Sequence, residues 1–275
     1  MTVKFHKMHG LGNDFILLDL RYQDFAINES IVRQLSDRHT GIGCDQVLIL
    51  RKPSSDQHLA NFEFWNSDGS RAEQCGNGVR CLGHYLQMRG ETPAGRFSLA
   101  GIAGTVSIEC LDENRVRVEM GEPVFEPWQV PVLLEPEDGW YSLKINQQHF
   151  RLGAVSMGNP HSLVVVDDIN TTDVSGLGAA INVNRAFPQG CNAGFAQIMD
   201  RGNIRLRVFE RGAAETNACG SGACAAVSIL RRAGLVEKTV RVTQGGGDLT
   251  IEWTGGKDPV IMTGPATYVF KGKFA

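Results

Sequence analysis

Two cysteines of the chain stand in matching surroundings, at an offset of 144 residues. Cys75 begins the run Cys75-Gly76-Asn77-Gly78, and Cys219 begins the run Cys219-Gly220-Ser221-Gly222. Apolar residues at helical spacing follow each run, which predicts helices over 79–88 and 223–232, each just after a Cys-Gly-x-Gly turn. A helix N-terminus carries about half a positive charge and unpaired N–H groups. It therefore lowers the pKa of a thiol beside it and offers N–H groups to a ligand carboxylate.

A single Cys-Gly-x-Gly run is also typical of a tight turn that holds a small buried side chain. The rest of the chain argues for a pair, because it nearly repeats itself. Six short matches occur in the same order at offsets between 142 and 147. They join 12–19 to 158–167, 43–45 to 190–192, 64–66 to 208–210, 74–78 to 218–222, 107–109 to 250–252, and Met120 to Met262. We predict two copies of one fold, residues 1–121 and 122–263, followed by a tail over 264–275.

The local patterns within each copy mix strands with a helix. Alternating polar and apolar residues predict strands over 61–65, 115–119, 203–209 and 239–243. Many short strands with one central helix per copy favour an α+β fold in which each sheet wraps around a helix.

Composition and charge exclude several classes of function. The net charge is −3 and no basic stripe occurs, so neither a nucleic acid nor an anionic membrane is an expected partner. No run approaches the roughly 18 apolar residues of a membrane span, and the N-terminus does not resemble a signal peptide. Gly10-Leu11-Gly12 lacks the third glycine of a dinucleotide-binding motif. An odd number of cysteines, seven, in a chain without an export signal predicts thiols in a reducing cytoplasm.

Two equivalent thiols on opposite sides of one ligand fit one reaction well, the stereochemical inversion of a carbon that bears hydrogen. One thiolate removes the proton from one face, and the other thiol delivers a proton to the opposite face. Two helix ends supply at most about 4 kcal/mol of the 8 kcal/mol or so that a modest enzyme needs. Positioning and the exclusion of water must supply the rest, so we expect the halves to close on the substrate.

Two other interpretations of the cysteines stay open at this point. Cys75, Cys81, Cys219 and Cys224 can be arranged as a zinc site, although only the second pair loosely fits the usual ligand spacing. A redox protein that forms a Cys75–Cys219 disulfide is also possible, but it would lack the C-x-x-C motif. We expect Cys44, Cys110 and Cys191 to be buried or structural.

A longer series of motifs closely resembles the diaminopimelate epimerase family, from residue 8 to residue 265. The matching runs are Met8-His9-Gly10-Leu11-Gly12-Asn13-Asp14-Phe15, Gln74-Cys75-Gly76-Asn77-Gly78, Ser156-Met157-Gly158-Asn159-Pro160-His161, Glu210-Arg211-Gly212, Glu215-Thr216, Ala218-Cys219-Gly220-Ser221-Gly222 and Met262-Thr263-Gly264-Pro265. The resemblance implies interconversion of LL- and meso-2,6-diaminoheptanedioate without a cofactor, in lysine and peptidoglycan precursor biosynthesis. It also implies two β-barrel-like halves with the active site in the cleft between them, a tail that returns to the first half, and a homodimer.

Residue by residue, the resemblance makes Cys75 and Cys219 the acid–base pair. Backbone and side-chain donors would hold the reacting α-carboxylate, at Gly76, Asn77, Gly220 and Ser221. Glu210 would take the α-ammonium, and both Glu210 and His161 would adjust the pKa of a thiol. Amides and a guanidinium would bind the remaining polar groups, at Asn13, Gln46, Asn66, Asn159, Asn192 and Arg211. No metal ligand is implied.

One departure from the family lies near the C-terminus. Many relatives carry a tyrosine in the dimer contact where this chain has Phe270, with Tyr268 two residues earlier. The aromatic anchor remains, but the hydroxyl that would donate a hydrogen bond is missing.

Two further functions remain as alternatives. Another cofactor-independent racemase of the same fold, acting on proline or hydroxyproline, would not need the residues assigned to the distal end of the substrate, Asn66, Asn192 and Arg211. A binding or redox-sensing protein would occupy the cleft without exchanging the Cα proton.

Overall fold

The computed structural model describes residues 2–72 and 75–275. Gln74, which opens the first Cys-Gly run, lies outside the described residues. The chain divides into two compact units. The first consists of Met1–Glu119 with Thr263–Ala275, and the second of Met120–Met262.

The first unit is a curved sheet with two helices. Its strands are β1 (Val3–Gly10), β2 (Asn13–Asp19), β3 (Gln46–Arg51), β4 (Ala60–Asn66), β5 (Arg71–Ala72), β6 (Arg96–Gly101), β7 (Gly104–Cys110) and β8 (Arg115–Glu119). Its helices are α1 (Glu29–Ser36) and α2 (Gly76–Met88).

The second unit has the same kinds of element in the same order. Its strands are β9 (Tyr141–Ile145), β10 (Gln148–Ser156), β11 (Pro160–Val165), β12 (Asn192–Asp200), β13 (Asn203–Glu210), β14 (Ala214–Thr216), β15 (Thr239–Gln244) and β16 (Gly247–Glu252). Its helices are α3 (Val174–Asn182) and α4 (Gly220–Arg232). The chain then passes through β17 (Ile261–Pro265) to β18 (Thr267–Phe274).

The strand pairings of the two units match one by one. In the first unit β18 pairs with β1, followed by β1–β2, β2–β3, β3–β4, β4–β6 and β6–β7. In the second unit β9 pairs with β10, followed by β10–β11, β11–β12, β12–β13, β13–β15 and β15–β16. Both series run antiparallel, antiparallel, parallel, antiparallel, parallel, antiparallel. The prediction of an α+β fold with two pseudo-symmetric halves is confirmed.

Each sheet wraps around one helix, and that helix is buried on nearly every side. Helix α2 packs against β1, β2, β7, β8 and β18, and α4 packs against β10, β11, β12, β13 and β16. Every residue of α2 from Gly76 to Leu86 is buried. A helix that is buried all round needs protein on all sides, which the strands around it supply.

Both central helices begin earlier than predicted. The sequence pattern indicated starts near Val79 and Ala223, after a glycine-rich turn, whereas Cys75 and Cys219 are the N-caps themselves. The glycines therefore lie in the first helical turn, where they permit close packing. A Cβ at Gly78 would lie 3.1 Å from Leu48 Cδ2, and one at Gly222 would lie 3.2 Å from Cys219 Sγ.

The predicted strands over 61–65, 115–119, 203–209 and 239–243 correspond to β4, β8, β13 and β15. Among the described residues, none of the helices is both long and apolar enough to cross a membrane.

Candidate active site

The Cys75 thiol lies between two hydrogen-bonding groups of opposite kind. It caps α2, and its Sγ accepts a hydrogen bond from the Gly78 N–H over 3.4 Å. Its S–H donates toward Asn13 Oδ1 at 3.8 Å. An N–H that donates to sulfur stabilises the thiolate, whereas an acceptor opposite S–H stabilises the thiol. The surroundings of Cys75 are therefore suited to both protonation states.

Asn13 and Asn77 meet directly beside this thiol. Asn77 Nδ2 donates to Asn13 Oδ1 over 3.2 Å, and Asn13 Nδ2 donates to Asp45 Oδ2 over 2.9 Å. Asn77 Oδ1 accepts from Arg80 Nη2 over 2.9 Å. Sequence reasoning missed Asp45 and Arg80. The available signal for Arg80 was a charged residue within the apolar spacing of a predicted helix.

Gln46 and Asn66 occupy opposite positions on neighbouring strands, β3 and β4. Gln46 Nε2 donates to Asn66 Oδ1 over 2.9 Å, and Asn66 Nδ2 donates to Ser70 Oγ over 3.0 Å. Gln46 Oε1 is buried and has no hydrogen-bond partner within residues 2–72 and 75–275. A buried acceptor without a donor is costly, so this oxygen is suited to an N–H or ammonium group of a ligand.

The Cys219 thiol is held as a proton donor. Cys219 is the N-cap residue of α4, but its side chain makes no capping hydrogen bond to the helix. Its S–H donates to Glu210 Oε2 over 3.0 Å, and Ser221 Oγ lies 3.7 Å from the sulfur. The Cys219 N–H donates to Gln244 Oε1 over 2.8 Å.

The expectation that a helix N-terminus lowers the pKa of this thiol is wrong for Cys219. Burial raises the Cys219 pKa well above its usual value, and the Glu210 carboxylate raises it further. A thiolate here would lose hydration and face a like charge, which outweighs the modest attraction of the helix end.

Glu210 lies at the end of β13, beside the short strand β14. Thr216 Oγ1 donates to Glu210 Oε1 over 2.5 Å, so a hydroxyl holds one carboxylate oxygen while the other accepts from Cys219. This places a negative charge beside the thiol, where it can also receive an ammonium group.

Four other residues assigned from the sequence gather where β11 and β12 run side by side. His161 pairs with Asn192 in the register of these strands, and its Nε2 lies 2.9 Å from Asn159 Oδ1. Asn192 Nδ2 donates to the Pro160 carbonyl, and Asn192 Oδ1 accepts from the Arg211 N–H.

Burial, together with the charge of Arg211, lowers the pKa of His161 to about 3. The imidazole is therefore neutral at physiological pH. Since Asn159 Oδ1 can only accept, a neutral imidazole donates through Nε2. The proposed influence of His161 on a thiol stays a prediction.

The seven cysteines are thiols rather than disulfides. Burial raises the pKa of Cys44, Cys110 and Cys191 to about 11, and that of Cys81 further still. These four are poor nucleophiles near neutral pH. Within the part of the chain that the structure describes, no group of three His, Cys, Asp or Glu side chains is arranged to hold a metal ion.

Phe270 lies on β18, with 46% of its surface exposed, and packs edge-on against Phe5 at a centroid distance of 5.9 Å. The neighbouring Val269 is 52% exposed.

Comparison with known proteins gives a consistent result. The family model for diaminopimelate epimerase matches residues 5–126 and 153–269. A diaminopimelate epimerase of Xanthomonas axonopodis pv. citri is 46% identical over 274 residues, covering 99% of this chain and 96% of that protein. One of Thioalkalivibrio sulfidiphilus is 44% identical over 275 residues, covering 99% of each.

Solved structures share the fold at low identity. A probable proline racemase from Agrobacterium radiobacter has a TM-score of 0.73 at 18% identity, covering 99% of this chain and 93% of that one. A hydroxyproline epimerase from Agrobacterium vitis has a TM-score of 0.72 at 16% identity, covering 99% and 92%. These structures describe the fold and leave the substrate to be argued from the residues.

Proposed function

Because the chain belongs to the diaminopimelate epimerase family, we propose that it interconverts LL- and meso-2,6-diaminoheptanedioate by moving a proton at Cα between two thiols. The reaction belongs to lysine and peptidoglycan precursor biosynthesis, and we expect it to take place in the cytoplasm. The observation that carries the mechanism is the pair of N-cap cysteines, Cys75 on α2 and Cys219 on α4, at equivalent points of two equivalent units.

The two thiols have complementary roles in the state described here. Cys75 accepts the Gly78 N–H at a helix N-terminus, which favours the thiolate needed to remove a proton. Cys219 is buried as a thiol that donates to Glu210, which keeps a proton ready for delivery. The roles exchange in the reverse direction, and the proton transfers need no cofactor.

The rest of the site supplies groups for both ends of the substrate. The first-turn N–H groups of α2 and α4, at Gly76, Asn77, Gly220 and Ser221, are donors for the α-carboxylate. Glu210 pairs with the α-ammonium. The Glu210 carboxylate accepts hydrogen bonds from Thr216 and Cys219 and still has lone pairs for the hydrogens of an ammonium group.

A second set of groups would bind the distal amino-acid end. The open acceptor at Gln46 Oε1 suits the distal ammonium. The amides of Asn66, Asn159 and Asn192 and the guanidinium of Arg211 complete this set, and the Asn13 amide, beside Cys75, would bind one of the remaining polar groups of the substrate. A racemase for a mono-amino acid such as proline would have no use for this second set, which favours a substrate with two amino-acid ends.

We also propose that the protein acts as a homodimer whose contact includes β18. The exposed Phe270 and Val269 on this strand support the proposal, since exposed large apolar side chains gain from burial in a contact.

The proposal is tested by incubating LL-diaminopimelate with the reduced protein in D2O and following the hydrogen at Cα. We expect meso product that carries solvent deuterium, and a loss of turnover of about 10²-fold or more in Cys75→Ser and in Cys219→Ser. Cys110→Ser is the matched control, because this half-buried thiol donates to the Gly83 carbonyl and the serine keeps that bond.

Each other outcome has a definite meaning. Turnover that survives either replacement would overturn the two-thiol mechanism. Exchange of proline in place of diaminopimelate would reject the substrate. Binding of diaminopimelate without any Cα exchange would reject the enzyme in favour of a binding protein.

A further inference from the structure

We infer that Arg80 and Asp45 are positioning residues that hold the Asn13 carbonyl oxygen against the Cys75 thiol. The inference deepens the proposed function, because it concerns the control of one of the two proposed acid–base groups. It rests on a chain of hydrogen bonds through two amide side chains, Arg80–Asn77–Asn13–Asp45, all within the first unit.

This hydrogen-bond chain can run in one direction only. Arg80 can only donate, so the atom of Asn77 that it meets at 2.9 Å must be the carbonyl oxygen. Asn77 then turns its NH2 group toward Asn13 and donates to Oδ1 over 3.2 Å. Asn13 in turn directs its own NH2 group at Asp45 Oδ2 over 2.9 Å, and an ionised carboxylate can only accept. The two ends therefore fix the orientation of both amides.

The fixed orientation has a consequence for the thiol. Asn13 Oδ1 lies 3.8 Å from Cys75 Sγ and acts as the acceptor for its S–H. A flipped Asn13 amide would present an N–H donor to the sulfur and so favour the thiolate. It would also place two NH2 groups against each other at Asn77 and leave Asp45 facing a carbonyl oxygen.

Both ends of the hydrogen-bond chain are themselves held in place. Arg80 is fully buried, and its Nε donates to the Pro265 carbonyl over 3.2 Å. A Cβ at Gly10 would lie 3.0 Å from Arg80 Nη2, so this glycine leaves the room that the guanidinium occupies. Asp45 receives Arg38 Nη2 at 2.8 Å and the Asp14 N–H at 3.1 Å.

The second unit does not repeat this arrangement. At the positions that the internal repeat aligns with Asn77, Arg80 and Asp45, the chain has Ser221, Cys224 and Asn192. Cys219 donates to the Glu210 carboxylate, where Cys75 faces an amide oxygen. The hydrogen-bond chain thus acts on Cys75 and has no counterpart at Cys219.

The experiment measures the pH dependence of Cys75 alkylation by iodoacetamide in the full-length protein, with the modified peptide quantified by mass spectrometry. In Asp45→Asn the end of the hydrogen-bond chain can donate as well as accept, so Asp45 no longer opposes a flipped Asn13 and only the contact with Asn77 does. We expect the alkylation midpoint to fall by about one pH unit, a tenfold gain in thiolate at a given pH. In the Asn13→Ala background, Asp45→Asn should produce no further shift.

Asp14→Asn is the matched charge control. It removes a carboxylate that binds the same Arg38 but is not hydrogen-bonded to the Asn13 side chain. Asp14→Asn should shift the midpoint of Cys75 alkylation only slightly, and by the same amount in the wild-type and the Asn13→Ala backgrounds. Should Asp45→Asn not fold, Asp45→Ser makes the same test, because a hydroxyl also accepts or donates.

Two results would overturn the inference. One is an unchanged midpoint in Asp45→Asn with Asn13 present. The other is an equal shift in both backgrounds, which would mean that Asp45 acts by its charge alone. The alkylation assay needs no substrate. A wild-type protein that fails to epimerise diaminopimelate would therefore reject the proposed function without deciding this test.

Discussion

Cys75 and Cys219 occupy equivalent cap positions, but their individual contacts make them chemically different. Cys75 has an amide donor and an amide acceptor around its sulfur. Cys219 has a carboxylate as its acceptor and is fully enclosed. The proposed two-base inversion needs one thiolate and one thiol at the same time, and this difference between the two thiols is what that proposal requires.

Replacing the carboxylate beside Cys219 is expected to make that thiol easier to ionise. Burial is the larger cause of its raised pKa, and Glu210 is the second, so Glu210→Gln should lower the pKa while leaving it above the usual value. The measurement is the pH dependence of Cys219 modification by a small thiol reagent, read by peptide mapping. Epimerase turnover should fall in the same variant, because Glu210, the proposed partner of the α-ammonium, loses its charge.

Glu237→Gln is the control for that experiment, since Glu237 is an exposed carboxylate of the same unit, paired with Arg201. An unchanged pH dependence at Cys219 in Glu210→Gln would show that the carboxylate does not govern this thiol.

His161 should make stability depend on pH. Its pKa in the folded state is about 3, because it is buried and close to Arg211, whereas an unfolded histidine titrates near 6.5. Between these values only the unfolded state binds the proton, so the free energy of unfolding falls as the pH falls, by about 1.4 kcal/mol per unit. Urea unfolding from pH 4 to 6.5 should show a shallower slope in His161→Gln, and the slope in the exposed-site control His39→Gln should match wild type.

At the scale of the elements, the position of each central helix depends on how closely the strands approach it. Small residues on the facing strands let the backbone come near the large side chains of the helix. Gly153 of β10 is the clearest case, because a Cβ there would lie 2.3 Å from Ile229 Cγ2 on α4. Real Cβ contacts are not that short, so this glycine fixes the distance between strand and helix.

Gly153→Ala is therefore expected to destabilise the protein by about 1–3 kcal/mol through overpacking. Gly202→Ala, in the turn between β12 and β13, is the matched control. Its nearest atom would be 3.5 Å away, and it should change the free energy of unfolding by less than about 0.5 kcal/mol. Denaturant titration compares the two, and equal stability of both variants would contradict the packing argument.

At the scale of the whole molecule, the two units repeat a series of six pairings, but they recruit the first strand of the series differently. The second unit takes β9 from the segment just before β10, in a hairpin. The first unit takes β18 from the far C-terminal end of the chain, to pair with β1. The last strand thus completes the first unit and carries the exposed Val269 and Phe270.

A homodimer through β18 predicts a solution mass near twice the chain mass of 30.0 kDa. Phe270→Asp and, separately, Val269→Asp should shift the mass measured by light scattering toward the monomer, because a carboxylate would be buried in the contact. Val183→Asp is the control, since Val183 is 83% exposed on the second unit. A wild-type monomer at assay concentration would reject the dimer.

Much of this architecture can be predicted from the amino-acid sequence. The offset of 144 residues between the two cysteine runs, the helical spacing behind each run and the alternation in β4, β8, β13 and β15 are local patterns. Local patterns follow from backbone geometry with a period of 3.6 or 2 residues, and a repeated series of them identifies a duplicated fold and its family. The cap positions of Cys75 and Cys219 belong to this class of information.

The electrostatic character of each site arises from contacts between residues of different elements and loops. Asn13 lies on β2, Asp45 in the loop before β3 and Asn77 on α2, and the Glu210 contact that raises the Cys219 pKa depends on β13 lying beside the start of α4. Desolvation and hydrogen bonding depend on distance and enclosure in three dimensions. The helix-end argument therefore predicted the wrong direction for Cys219, although it placed the thiol correctly.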